Sequence, residues 1–214
     1  MNDITMEQFE KETKTFENLC NKVIDNIDFL INETEDLKHK DKLIKRKEDF
    51  NKFINYIINE TNFINAPAST KYHLSIDHGL LIHSNSVTKV LLKLNQAFNA
   101  GIPIYKIITV GLFHDLGKHN DYIPKEPTEK QKAAGYKATP PYEYNTSGIY
   151  DEHESESVFI ISKFMDLDKD EFMAILYHNS PWDGITKPAF RQNKLMTLLQ
   201  MADYYSTLYL EPRN

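Results

Sequence analysis

The sequence predicts an all-α domain, and three observations carry that expectation. The first proline is Pro67 and the first glycine is Gly79, so the opening segment holds no strong breaker of either kind. Apolar residues recur at helical spacing through most of the chain. With 214 residues, of which 41% are hydrophobic and 12% aromatic, the chain is long enough to bury a full core as one domain with a small appendage.

Each element follows in order. After Thr5, which reads as an N-cap, Phe9, Phe16, Leu19, Val23, Ile24, Ile27 and Leu30 mark a first helix. Leu43, Ile44, Phe50, Phe53, Ile54, Ile57 and Ile58 mark a second. Between them, residues 38–47 carry six Lys/Arg (KHKDKLIKRK) with no aromatic residue interleaved, which reads as a solvated helix start or loop rather than a nucleic-acid patch. These helices form an N-terminal extension over residues 1–62, expected to pack on the core, and residues 63–214 form the main domain. Beyond the Asn65–Ala66–Pro67 break, helical patterns cover about 79–96, 103–117, 152–165, 168–179 and 190–209. Asp168 followed by Glu171 resembles a capping box. Residues 119–150 depart from this, with four prolines, two glycines and five tyrosines, and predict a loop or small hairpin insertion.

Several classes are excluded. A single cysteine, Cys20, rules out an internal disulfide and a thiolate zinc site. A charged N-terminus and the lack of any long apolar run predict a cytoplasmic protein without membrane contact. The net charge of −6 argues against general nucleic-acid binding. The amphipathic N-terminal helices leave room for a homo-oligomer.

Eight histidines then carry the functional reading. His39, His73, His78 and His119 read as packed or surface residues. His83, His114–Asp115, His153, His178 and Asp203 differ, because they stand in or at the ends of the core helix patterns. Most have strongly apolar neighbours, as in Leu80–Leu81–Ile82 before His83 and Ala174–Ile175–Leu176 before His178. Buried imidazoles and carboxylates need partners, and a divalent cation satisfies several at once. Mixed imidazole and carboxylate ligands suit transition metals better than calcium.

His83, then His114–Asp115–Leu116–Gly117–Lys118, then Asp203 resemble the H…HD…D pattern of the HD-domain metal-dependent phosphohydrolase superfamily. The Ala66–His73 stretch leading to Gly79–His83 is similar to the entry of YhaM-like exoribonuclease and relaxase HD domains. Pro141–Tyr144, His153 with Ser157, Ala174–His178 and Ala202–Asp203 resemble small HD hydrolases of phages and Firmicutes. The resemblance covers residues 64–210 and implies an all-α HD bundle.

It further implies that His83, His114, Asp115 and Asp203 hold a first metal, while His153 and His178 hold a second with Asp115 bridging. One or two divalent ions per chain are expected (Mn, Fe, Co, Ni, Zn or Mg). Asp115, His114 and Lys118 become the catalytic residues, with Lys118 meeting a substrate phosphate. Tyr144 and Trp182 are expected to cover the site or stack on a base. A Gly-Gly pair common in the family reads His78–Gly79 here, which makes His78 a candidate substrate contact. The usual His-Gly-Glu reads His153–Glu154–Ser155. The implied activity is hydrolysis of a phosphoester in a nucleotide or nucleotide-like substrate by metal-activated water. The alternatives are a single-stranded RNA or DNA 3′-5′ exonuclease or phosphodiesterase, and a non-catalytic metal-containing binding module.

Overall fold

The structure is a computed structural model that describes residues 4–146, 152–179 and 193–211. It opens with a long helical hairpin, α1 (Met6–Glu33) and α2 (Leu37–Glu60). Thr5 caps α1 in a reciprocal box: the Gln8 N–H donates to Thr5 Oγ1 (3.2 Å) and the Thr5 N–H donates to Gln8 Oε1 (2.9 Å). Asp36 caps α2, accepting from the Lys38 and His39 N–H groups. The basic run is therefore the first turns of α2, where its cations oppose the helix dipole and the Asp36 carboxylate offsets part of that cost. One member departs from the solvated-face expectation. Arg46 is buried, donating from Nη1 to the Asp166 carbonyl and from Nη2 to Glu171 Oε1, both at 2.6 Å.

The bundle proper begins with α3 (Gly79–Ala97) and α4 (Ile104–Phe113), which pack side by side. Their approach requires glycine at position 111, since a Cβ there would lie 3.0 Å from the Thr88 Cα and 2.7 Å from its hydroxyl. A 3-10 turn (Leu116–Asn120) follows α4 directly. The expected insertion is a two-stranded antiparallel ribbon, β1 (Tyr122–Pro124) with β2 (Tyr142–Tyr144), that pairs Tyr122 with Tyr144. A short α5 (Glu129–Ala133) lies between the strands. The hydroxyl of Tyr142 donates to Asp77 Oδ1 (2.6 Å), which ties the ribbon to the loop before α3.

Three helices complete the described bundle: α6 (His153–Ser162), α7 (Lys169–Leu176) and α8 (Lys194–Tyr205). Asp168 and Glu171 form a capping box at the start of α7, and Asn193 caps α8. α8 gives way to a π-helical turn (Ser206–Leu210) instead of running on to 209 as one α-helix.

One apolar core runs through both the N-terminal hairpin and the bundle. Phe113 of α4 sits at its middle, edge-on to Phe53 of α2 at 4.8 Å and to Phe16 of α1 at 6.2 Å between ring centroids. Phe63 closes the cluster against both Phe16 and Phe113. Among the described residues no helix is long and apolar enough to cross a membrane.

Candidate metal centre

Five helices and the 3-10 turn bring polar side chains into the apolar interior at one place. His83 points inward from α3, His114 ends α4, Asp115 enters the 3-10 turn, His153 opens α6, His178 follows α7, and Asp203 lies in α8. His83, His114, Asp115 and His178 are all buried. The Asp115 carboxylate is the hub. Its Oδ1 lies 3.1 Å from His153 Nε2 and 3.2 Å from His178 Nε2, while Oδ2 lies 3.4 Å from His83 Nε2 and 3.7 Å from His114 Nε2. Lys118, three residues on, places Nζ 2.6 Å from the same Oδ2. Asp203 Oδ1 meets His83 Nε2 at 3.3 Å.

Local structure fixes these rings. A carbonyl only accepts, so His114 Nδ1–H donates to the Gly111 carbonyl (2.9 Å) and His178 Nδ1–H to the Ile175 carbonyl (2.7 Å). His83 Nδ1–H likewise donates to the Glu211 carboxylate (2.9 Å). In all three, Nε2 is the atom left to take a proton or a metal. The 3-10 turn and α6 are held together by Ser157, whose hydroxyl accepts from the Gly117 N–H (2.8 Å) and donates to the His153 carbonyl (2.7 Å). Gly117 has no side chain to spare there, because a Cβ would fall 2.2 Å from the His153 carbonyl oxygen.

Electrostatics follow from burial set against these contacts. Burial pushes His114 down to about 3, so its ring is neutral. Burial also disfavours the charge on His83, but Glu211 and hydrogen bonds with Asp115 and Asp203 outweigh it and hold His83 well above its ordinary value. His178 is raised despite burial by its hydrogen bond and attraction to Asp115. Asp115 is held well below the carboxylate range, its burial overcome by Lys118, the neighbouring His114 and the bonds to His153 and His178. Asp203 is lowered against burial by His83.

The donor set fits a divalent cation. His114 Nε2 is buried without a hydrogen-bond partner, and its neutral ring aims a lone pair at Asp115. Ligand atoms of His83, His114 and Asp203 lie within 4.8 Å of one another, as do those of His114, Asp115 and His178, and those of His153, Glu154 and His178. A proton and a cation compete for these positions between imidazole and carboxylate.

Residues 80–208 match the family model of the HD domain. The chain belongs to the HD-domain family. This superfamily comprises metal-dependent phosphohydrolases, so metal-dependent hydrolysis is the class of chemistry that goes with the HD centre. No curated protein and no solved structure gave a significant match.

Of the remaining expected site residues, His78 and Tyr144 fall outside this cluster. His78 caps α3 in the left-handed region (φ 64°), a conformation that favours glycine. Its Nδ1 bonds the Ile64 carbonyl (2.9 Å) and its ring lies 4.1 Å from that of Phe9, so its contacts serve packing. Tyr144 is exposed on the ribbon with its ring 5.5 Å from that of Tyr122. Trp182 lies outside the described residues. A cavity of about 380 Å³ between α2 and α7, lined by Arg46, Tyr105 and Lys106 among others, contains none of the Asp115 cluster. Its Arg46 is paired with Glu171 and its Lys106 with Asp168.

Three residues at the centre are not among the expected site residues: Glu211 and Asn179 carry no expectation, and His73 reads in the sequence as packed or surface. Glu211 binds His83, His73 places Nε2 3.8 Å from Glu211 Oε2, and the Asn179 amide lies 3.1 Å from His153 Nε2. Glu211 follows Tyr209–Leu210 near a polar chain end and shows no pattern that marks it as buried.

Proposed function

We propose that this chain hydrolyses a phosphoester of a nucleotide or nucleotide-like substrate at the Asp115 centre, with residues 63–214 as the catalytic unit and 1–62 as its helical extension. The observation that carries the reading is one buried carboxylate facing four imidazole Nε2 atoms and an ammonium, all within 3.7 Å. His83, His114, Asp115 and Asp203 would hold a first divalent ion, and His153 and His178 a second, with Asp115 between them. Such ions supply Lewis acidity toward a phosphoryl oxygen and lower the pKa of water to give a nucleophile near neutral pH.

The chain's own residues do the rest. Asp115 orients the reacting water through its two oxygens, one toward each group of histidines. Lys118 offers a fixed positive charge to a non-bridging phosphate oxygen, and Asp115 holds it protonated despite its burial. The apolar walls from α3 and α4 limit bulk water, which strengthens each of these interactions. The tyrosines of the ribbon supply flat surfaces of the kind that a nucleobase stacks on.

The test joins metal analysis of the purified protein to a hydrolysis screen over nucleotides, cyclic nucleotides, dinucleoside polyphosphates and short RNA, with Mn, Co, Ni and Mg added in turn. Asp115→Ala is expected to abolish turnover and lower bound metal. Full activity in that variant would overturn the assignment. Preferred cleavage of oligonucleotides, with binding that weakens steeply as salt rises, would instead make the chain a nuclease.

A further inference from the structure

The C-terminal segment that follows Asp203 returns to the centre in a way that the family pattern does not require. α8 places Asp203 against His83 Nε2 at 3.3 Å. The π turn then carries the chain around to Glu211, an extended residue (φ −103°, ψ 138°) whose N–H donates to the Ser206 carbonyl (3.1 Å). Its carboxylate meets the opposite edge of the same ring, with Oε1 2.9 Å and Oε2 3.1 Å from His83 Nδ1. One imidazole is thus clamped between two carboxylates eight residues apart, contributed by a single stretch of chain. π turns cluster at functional sites because the extra residue per turn redirects the side chains that follow.

Glu211 is buried, its side chain 2% exposed. Burying a carboxylate is costly unless it is paired, and its partners here are two histidines. The nearer is His83. The other is His73, which lies 3.8 Å from Oε2, with its ring 5.1 Å from that of His83 and its Nε2 buried without a hydrogen bond. His73 closes the far side of the carboxylate and leaves His83 as its only hydrogen-bonded side-chain partner among the described residues. Glu211 bonds the Nδ1 edge, away from Asp115, so it holds the ring and does not compete for the position that the ring's other nitrogen addresses.

We infer that Glu211 is a positioning residue for the metal centre: its carboxylate fixes the Nδ1–H of His83 and directs Nε2, with increased basicity, at the ion shared with His114, Asp115 and Asp203. The inference rests on the metal-centre reading above. Removing a carboxylate that holds a ligating imidazole typically lowers metal affinity by about 10–100-fold.

The experiment uses the full chain, with Co(II) alone as probe, and compares the unaltered protein with Glu211→Ala, Glu211→Gln and His114→Ala. Co(II) affinity is measured by competition with a chelator, and the His83 Nδ1–H proton is followed by NMR in metal-free protein. Glu211→Ala is expected to weaken Co(II) binding about 10–100-fold and to lose the exchange-protected, downfield Nδ1–H signal. Glu211→Gln retains an acceptor oxygen, so it should keep the signal at a less downfield position and lose less affinity. Unchanged affinity and an unchanged signal in Glu211→Ala would overturn the inference. If Glu211→Ala does not fold, an unmoved Nδ1–H shift in Glu211→Gln does so. His114→Ala should lose Co(II) affinity with the His83 signal intact. Failure of the unaltered protein to bind Co(II) would sink the metal-centre reading, and the NMR comparison would still decide the role of Glu211.

Discussion

Asp115 is a buried carboxylate that needs positive charge to balance it, and the protonated Lys118 ammonium, at 2.6 Å, is the closest cation. Under the proposed function, Lys118 competes with an incoming ion for Asp115 Oδ2 and becomes available to a substrate phosphate once that oxygen is engaged elsewhere. Lys118→Met keeps the bulk of the side chain and removes the charge. We expect turnover with saturating metal to fall about tenfold or more, the equivalent of one lost charge-assisted hydrogen bond, while metal affinity stays the same or rises. Steady-state kinetics beside chelator competition checks both, and unchanged turnover would remove Lys118 from the reaction. The residues that converge on Asp115 were legible in the sequence because polar groups inside runs such as Leu80–Leu81–Ile82–His83 have no solvent to face. Glu211 was not, because a carboxylate near a polar chain end looks solvated until the π turn shows where it goes.

At the scale of elements, the centre depends on how closely the 3-10 turn sits against the start of α6. Ser157 is the clamp, with its hydroxyl between the Gly117 N–H and the His153 carbonyl, and it is fully buried. Ser157→Ala leaves the Gly117 N–H buried without an acceptor, at a cost of about 1–3 kcal/mol. Chemical denaturation should read that loss. If two ions bind as proposed, metal analysis should show the one assigned to His153 and His178 weakened before the one assigned to His83 and Asp203. Stability equal to that of the unaltered protein would show that the clamp is dispensable. Helix starts were the most legible part of the fold, since Thr5 and Asp168 are capping residues with their partners three positions on. The end of α8 was less so, because Tyr204, Tyr205 and Tyr209 continue an aromatic helical pattern past the point where the backbone widens into a π turn.

At the scale of the molecule, the N-terminal hairpin and the bundle share one core, which bears on how stability and site are linked. Phe53 of α2 is fully buried, 4.8 Å from Phe113 of α4 and 5.7 Å from Phe164 beyond α6. α4 ends in His114, so the ring stack that holds the hairpin also backs the centre. Truncating Phe53 to alanine opens a cavity in that stack and should destabilise the fold by about 3–5 kcal/mol. Because the core is continuous, the loss should appear in a single cooperative transition. Denaturation followed by far-UV circular dichroism and by release of bound Co(II) should give coincident midpoints, both lowered in Phe53→Ala. The opposite outcome is an early loss of helical signal from α1 and α2 with Co(II) retained to higher denaturant. That would make the hairpin an independently folding unit and separate its packing from the stability of the Asp115 centre.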